Sequence, residues 1–193
     1  SCEEFHQDEL SNLLGTNFYK YAIKTNGGIL LNPQKLCLGL VPKICKGIDV
    51  YENTKIEKFN IDQGPLAYTN EGFKIQAKKI IVAINSWMPE LNIKQKYSIP
   101  LILTSSITRP LTSKERSDIG NPKPWGVLSV KPAGATLRYT NDHRIMIRNT
   151  SEPILKTNFN FKKCIEKHKQ GLKRRFPQFT DIDIENSWSG FIS

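Results

Sequence analysis

The chain has 193 residues, 38% of them hydrophobic and 24% charged, and a formal net charge of +10. That length and composition suit a globular piece with one or two modest cores, and no stretch approaches the ~20 apolar residues of a membrane span. The residues up to Leu14 are polar and acidic, unlike a signal peptide, which points to a cytoplasmic protein.

Residues 9–21 read as a short helix or a loop. Gly27 and Gly28 are an isolated pair with no third glycine and no acidic residue some 20 positions on, so they read as a turn rather than a phosphate cradle. Asn32 followed by Pro33 is an N-cap with proline at the first helical position, and Leu36, Leu40 and Ile44 then mark one helical face. Pro42 interrupts that face, so the helix ends near Val41 or kinks there, and Gly47 closes the segment. Strands are expected over 50–59 and 72–76, with Asn70, Glu71 and Gly72 as a turn.

Next comes a β-branched run, Ile80, Ile81 and Val82, which gives way to Ala83, Ile84, Asn85, Ser86 and Trp87. A continuous apolar run fits a strand covered on both faces, as in a parallel sheet, and such sheets bind ligands outside the carboxyl ends of their strands. A plain core strand leaving through a turn has the same pattern. Residues 97–108 alternate apolar and hydroxyl side chains, and a proline-rich stretch leads to Trp125, which could cover a site or simply pack. Residues 137–140 and 144–148 alternate on either side of Asn141 and Asp142, the pattern of a β-hairpin.

From Phe161 to Phe176 the apolar residues recur at helical spacing. The opposite side carries Lys162, Lys163, Lys167, Lys169, Lys173, Arg174 and Arg175, read as a solvated basic face. No specific nucleic-acid binding is inferred, since the aromatics fall on the apolar side rather than beside the charges. Cys2, Cys37, Cys45 and Cys164 form no C-x-x-C pair, and His6, His143 and His168 are scattered, so neither a metal site nor a disulfide framework is expected.

Four segments in order resemble the D-amino-acid oxidase (DAO) family of FAD-dependent oxidoreductases. They are residues 27–36 with Pro33, Lys35 and Leu36; residues 50–56 with Val50, Glu52, Thr54 and Ile56; residues 77–91 with Ala83, Asn85, Trp87 and Leu91; and residues 174–191 with Arg175, Phe176, Pro177, Trp188 and Gly190. The resemblance implies an α+β fold: an antiparallel-sheet substrate domain with helices on one face, plus part of a Rossmann-like FAD-binding domain. Residues 1–26 and 96–185 would form the first, and 27–95 and 186–193 the second. The family's opening G-x-G-x-x-G turn and its closing glycine-rich segment are not found, so the chain reads as an internal fragment or a shortened product. It is not expected to retain FAD tightly alone.

By the same resemblance, Ile56, Ala83, Ile84, Asn85 and Trp87 would line the cofactor, with core packing the alternative for Ile56. Amine oxidation by flavin needs orientation and electrostatics more than an acid-base side chain, so no catalytic residue is assigned. Substrate contacts would come from Tyr139, Arg138 or Arg148, a guanidinium suiting the carboxylate of an amino acid. Because Leu137 and Tyr139 point one way and Arg138 and Thr140 the other, the expectation is that Tyr139 faces the substrate and Arg138 stays solvated. The implied partner is a small amine or amino acid; the alternative function is a cofactor-free binding module. The oligomeric state is not legible.

Overall fold

The computed structural model describes residues 2–44, 46–60, 64–92, 100–131, 134–153, 159–179 and 182–192. Contacts divide the chain into two units, Ser1–Leu30 with Leu101–Phe191, and Leu31–Pro100 with Ile192–Ser193. The sequence reading sets these breaks at 26/27 and 95/96 and gives residues 186–193 to the other part. The last strand as far as Phe191 instead falls in unit 1, into whose sheet it pairs.

Unit 1 opens with strand β1 (Cys2–His6), helix α1 (Gln7–Leu14) and strand β2 (Tyr21–Thr25), with β1 and β2 antiparallel. Helix α1 stops at Gly15, whose φ of 71° is left-handed. A Cβ there would meet the Ile119 side chain and carbonyl at 2.6 Å, so both the conformation and the close approach require glycine. After unit 2 come β6 (Leu101–Thr108), α3 (Ser113–Asp118), β7 (Trp125–Leu128), β8 (Thr136–Tyr139), β9 (Ile145–Pro153), α4 (Phe161–Arg175) and β10 (Ile184–Ile192). The five strands form one sheet in the order β10-β6-β9-β8-β7, with antiparallel pairing of β6 to β9, β9 to β8 and β8 to β7. The expected hairpin is therefore β8 and β9.

Helix α4 begins where Asn160 accepts the Lys163 amide at 3.0 Å and stops ahead of Pro177, which cannot continue it. Cys164, His168, Gly171, Leu172 and Arg175 lie on its buried face, packed on β9 and β6. Gly171 sets the approach, since a Cβ would stand 2.6 Å from Asn149 Nδ2 and 2.8 Å from Ile147 Cδ1. The core between helix and sheet holds Leu137, Tyr139, Ile145, Ile147, Leu172 and Phe176.

The alternation in β6 is present, but its hydroxyl side is the buried one. Thr104, Ser106 and Thr108 are fully buried, and Ser106 Oγ bonds His168 Nδ1 at 2.7 Å and Ser187 Oγ at 2.7 Å. A buried polar group needs such partners, and the helix supplies one.

In unit 2, helix α2 (Pro33–Ile44) starts at Asn32, whose Oδ1 accepts the Lys35 amide at 3.0 Å, and runs through Pro42. Strands β3 (Ile56–Asn60), β4 (Leu66–Thr69) and β5 (Lys74–Gln76) make an antiparallel sheet in that order. The turn at Asn70 to Gly72 stands where expected, with Thr69 Oγ1 accepting the Phe73 amide. Two expectations fail here. The strand expected over 50–59 begins only at Ile56. Residues 79–84 enter no strand, and Ile81 is 92% exposed, because no described part of unit 2 supplies a flanking strand or a covering layer. A 3-10 helix (Asn85–Leu91) follows.

No helix among the described residues is long and apolar enough to cross a membrane, and no metal-binding cluster is found among them. Cys2, Cys37 and Cys164 are free, and Cys45 lies outside the described residues.

Candidate functional site

Cross-strand pairing decides which side chains share the sheet face turned away from α4. Gly126 opposes Arg138, Leu128 opposes Thr136, Thr136 opposes Arg148, and Met146 stands between Arg138 and Ile107. By alternation these residues occupy one face, while Leu137, Tyr139, Ile145 and Ile147 occupy the other. Among the described residues this open face carries two guanidinium groups and no carboxylate. Arg148 Nη2 donates to Thr136 Oγ1 at 2.8 Å, which fixes one corner of its fork. The Arg138 stem lies over Gly126, where a Cβ would come within 4.0 Å of Arg138 Cγ and of Leu30 Cδ1. Among the described residues neither arginine pairs with an acid.

Tyr139 is elsewhere. It is 1% exposed, its hydroxyl bonds His143 Nδ1 at 3.1 Å, and the Trp125 ring lies 6.2 Å away. Burial pushes its phenol pKa above the ordinary value, the nearby Arg116 charge opposing. The split of the strand into two sets is as the alternation requires, but the apolar set faces α4. Tyr139 packs with Leu137, Ile145, Ile147, Leu172 and Phe176 in the core, so the arginines take the open side. Trp125 is half-buried beside it and packs rather than covers a site.

The cofactor candidates all lie in unit 2. Ile56 opens β3 and is half-buried, and the 3-10 helix bearing Asn85 and Trp87 packs against β3. Ala83 is exposed, Ile84 half-buried, Asn85 exposed with a left-handed φ of 49°, and Trp87 49% exposed. Ser86 Oγ is buried without a hydrogen-bond partner among the described residues. An apolar, half-open strip with an unsatisfied hydroxyl fits one flank of a flavin nucleotide. Gly27 and Gly28 lie in the loop ahead of the Asn32 cap with open space around both.

Arg175, read from the sequence as part of a solvated basic face and of the Arg-Phe-Pro stretch, is instead buried. Its side chain is 7% exposed, stacks 4.3 Å from the Phe18 ring centroid, and donates to Gly171 O at 2.9 Å and Tyr19 Oη at 3.3 Å. Its backbone carbonyl accepts from Thr16 Oγ1. It ties the N-terminal segment to α4, and the resulting cleft of ≈ 730 Å³ includes Asn12, Thr16, Asp118 and Arg174 on its walls. The aromatic at 18, the right distance from nothing in sequence, gave no signal of this contact.

The profile of the family described as FAD dependent oxidoreductase, DAO, matches residues 4–193. No match was found among curated protein sequences. Solved structures share the fold. Glycine oxidase from Geobacillus kaustophilus matches at TM-score 0.77 and 16% identity, over 100% of this chain and 51% of its own. L-proline dehydrogenase from P. horikoshii matches at TM-score 0.75 and 19% identity, over 98% and 52%. Iminodiacetate oxidase (IdaA) from Chelativorans sp. BNC1 matches at TM-score 0.71 and 16% identity, over 100% and 51%. The chain thus spans about half the length of the structures it matches. The match of profile and fold over nearly every residue places the chain in the DAO family of FAD-dependent oxidoreductases.

Proposed function

We propose that the chain supplies the substrate-holding sheet and one flank of the flavin site of an oxidoreductase that oxidises an amine or amino acid. The observation that carries this is the open sheet face, where two guanidinium groups without acidic partners lie among Met146, Ile107 and Leu128. A guanidinium binds a carboxylate through two parallel hydrogen bonds, and Thr136 holds Arg148 ready for that geometry. Met146 and Ile107, both half-buried, give the guanidinium groups apolar flanks. FAD, when bound, supplies the acceptor for the hydride equivalent that leaves the substrate carbon. On this chain Ile56, Ala83, Ile84, Asn85 and Trp87 would contact it, and the substrate sheet and flavin flank correspond to units 1 and 2. The protein is further read as cytoplasmic with reduced thiols.

The test is anaerobic addition of amines to the flavin-loaded protein that contains this chain. Bleaching of the flavin by an amino acid, weakened tenfold or more in affinity by Arg148→Gln, is the expected result. Absence of bleaching by every primary and secondary amine would overturn the reading. The 193 residues alone are expected to purify without stoichiometric flavin. The second reading, a cofactor-free binding module, draws on the exposed apolar surface of unit 2, with Leu38 66% and Ile44 59% exposed. A longer gene product that never takes up flavin would favour it.

A further inference from the structure

We propose that the substrate of this site carries two carboxylate groups, one for Arg138 and one for Arg148. The inference rests on the oxidoreductase reading above and adds the substrate class. Arg138 opposes Met146 and Thr136 opposes Arg148, so the two arginines are diagonal neighbours on adjacent strands. Diagonal neighbours stand roughly 7–8 Å apart, within reach of long side chains, and like charges so placed oppose each other. Nothing acidic on that face relieves the repulsion among the residues the alternation brings together, Gly126, Leu128, Thr136, Met146 and Ile107.

One guanidinium is fixed and the other has room beside it. Arg148 is tied by Thr136 Oγ1 at 2.8 Å, and the Arg138 stem rests over Gly126. Two half-buried cations side by side, one of them fixed, form a receptor for two anionic groups on one small molecule. An amino acid with one carboxylate answers only one of them and brings its ammonium group toward the other. An amine with two carboxylates answers both and arrives with a net negative charge. Its anionic groups take the place of the missing acidic partners, and its nitrogen lies between them.

The experiment titrates the 193-residue chain at fixed low ionic strength with succinate and iminodiacetate, and in parallel with acetate and glycine, following binding by calorimetry. The expected result is a dissociation constant at least tenfold lower for each two-carboxylate probe than for its one-carboxylate counterpart. Arg138→Gln and Arg148→Gln should each abolish that preference. Arg174→Gln, an exposed residue of α4 on the opposite side of the sheet, should keep it. If a glutamine variant melts early, Arg148→Lys keeps the charge but loses the planar fork, and it should still lower the preference. Equal affinity for one and two carboxylates in the unaltered chain overturns the proposal, as does retained preference in both glutamine variants. The two readings fail separately. Flavin reduced fastest by a one-carboxylate amine, with no binding preference, sinks this inference and leaves the oxidoreductase standing. Dicarboxylate preference in a protein whose flavin no amine reduces does the reverse.

Discussion

The two units differ in how much of their own apolar surface they bury. Unit 1 seals Leu137, Tyr139, Ile145, Ile147, Leu172 and Phe176 between α4 and the sheet. In unit 2 the described buried residues are Ala67, Thr69 and Ser86, and α2 buries none of its side chains although Leu36, Leu38, Leu40, Val41 and Ile44 are apolar. Secondary structure without a second layer gains little from the hydrophobic effect, which is roughly 25 cal/mol per Å² removed from water. Unit 1 therefore has the means to fold as a cooperative body, while unit 2 keeps its elements by local hydrogen bonds and capping.

The sharpest way to break this contrast is to truncate one apolar side chain in each unit. Phe176→Ala empties a fully buried site and should cost about 3–5 kcal/mol in denaturant unfolding followed by circular dichroism. Leu38→Ala removes a side chain that is 66% exposed and should change stability by no more than about 0.5 kcal/mol. A large loss from Leu38→Ala would mean that something covers α2 in solution, such as a second copy of the chain.

A smaller effect comes from pH, and it belongs to unit 1 because all three histidines lie there. His168 is fully buried, with Ser106 on Nδ1 and Thr150 Oγ1 3.3 Å from Nε2. Burial lowers its pKa from 6.5 to about 4, helped by the charge of Lys167 and opposed by the Thr104 backbone. Between these values the unfolded chain binds the proton and the folded chain does not. Stability is then complete above about pH 6.5 and falls as pH drops toward 4, by up to about 3 kcal/mol. Unfolding at stepped pH should show this slope, and His168→Gln should flatten it. An unchanged slope in the variant would move the effect to the carboxylates, among them Glu115, which Arg109 holds down to about 2.

What the sequence disclosed follows the same division. Helix α4, the β8–β9 hairpin and the cap at Asn32 were legible because period, turn residues and caps are local properties. The direction of the hairpin faces was not, since alternation separates Tyr139 from Arg138 without saying which side a distant helix will cover. The hydroxyl side of β6 illustrates the same limit, as Ser106 is buried against His168 and Ser187, both far along the chain. Ile80 to Val82 failed for the opposite reason. A β-branched run specifies a strand only when neighbours exist to pair with it, and none is found among the described residues of unit 2. Of the candidate site, the arginines were named from residue type, yet their shared face and lack of acidic partners required the strand register.

The smallest effect gives the finest comparison, because the two units contain the same cap. Asn160 Oδ1 accepts the Lys163 amide at 3.0 Å to start α4, and Asn32 Oδ1 accepts the Lys35 amide at 3.0 Å to start α2. Replacing either asparagine by alanine removes one hydrogen bond to an otherwise unsatisfied helix amide, a local cost of about 1 kcal/mol. In unit 1 that cost passes to the whole body through the packing of α4 on β9 and β6, so Asn160→Ala should lower the main melting transition by a few degrees. In unit 2 the helix has no buried side chain through which to pass it on. Asn32→Ala should leave that transition in place and instead speed hydrogen exchange in the first turns of α2 about fivefold, the factor that 1 kcal/mol represents. Equal melting shifts from the two variants would show that α2 is coupled to the main core after all, and the contrast between a sealed unit and an open one would fall.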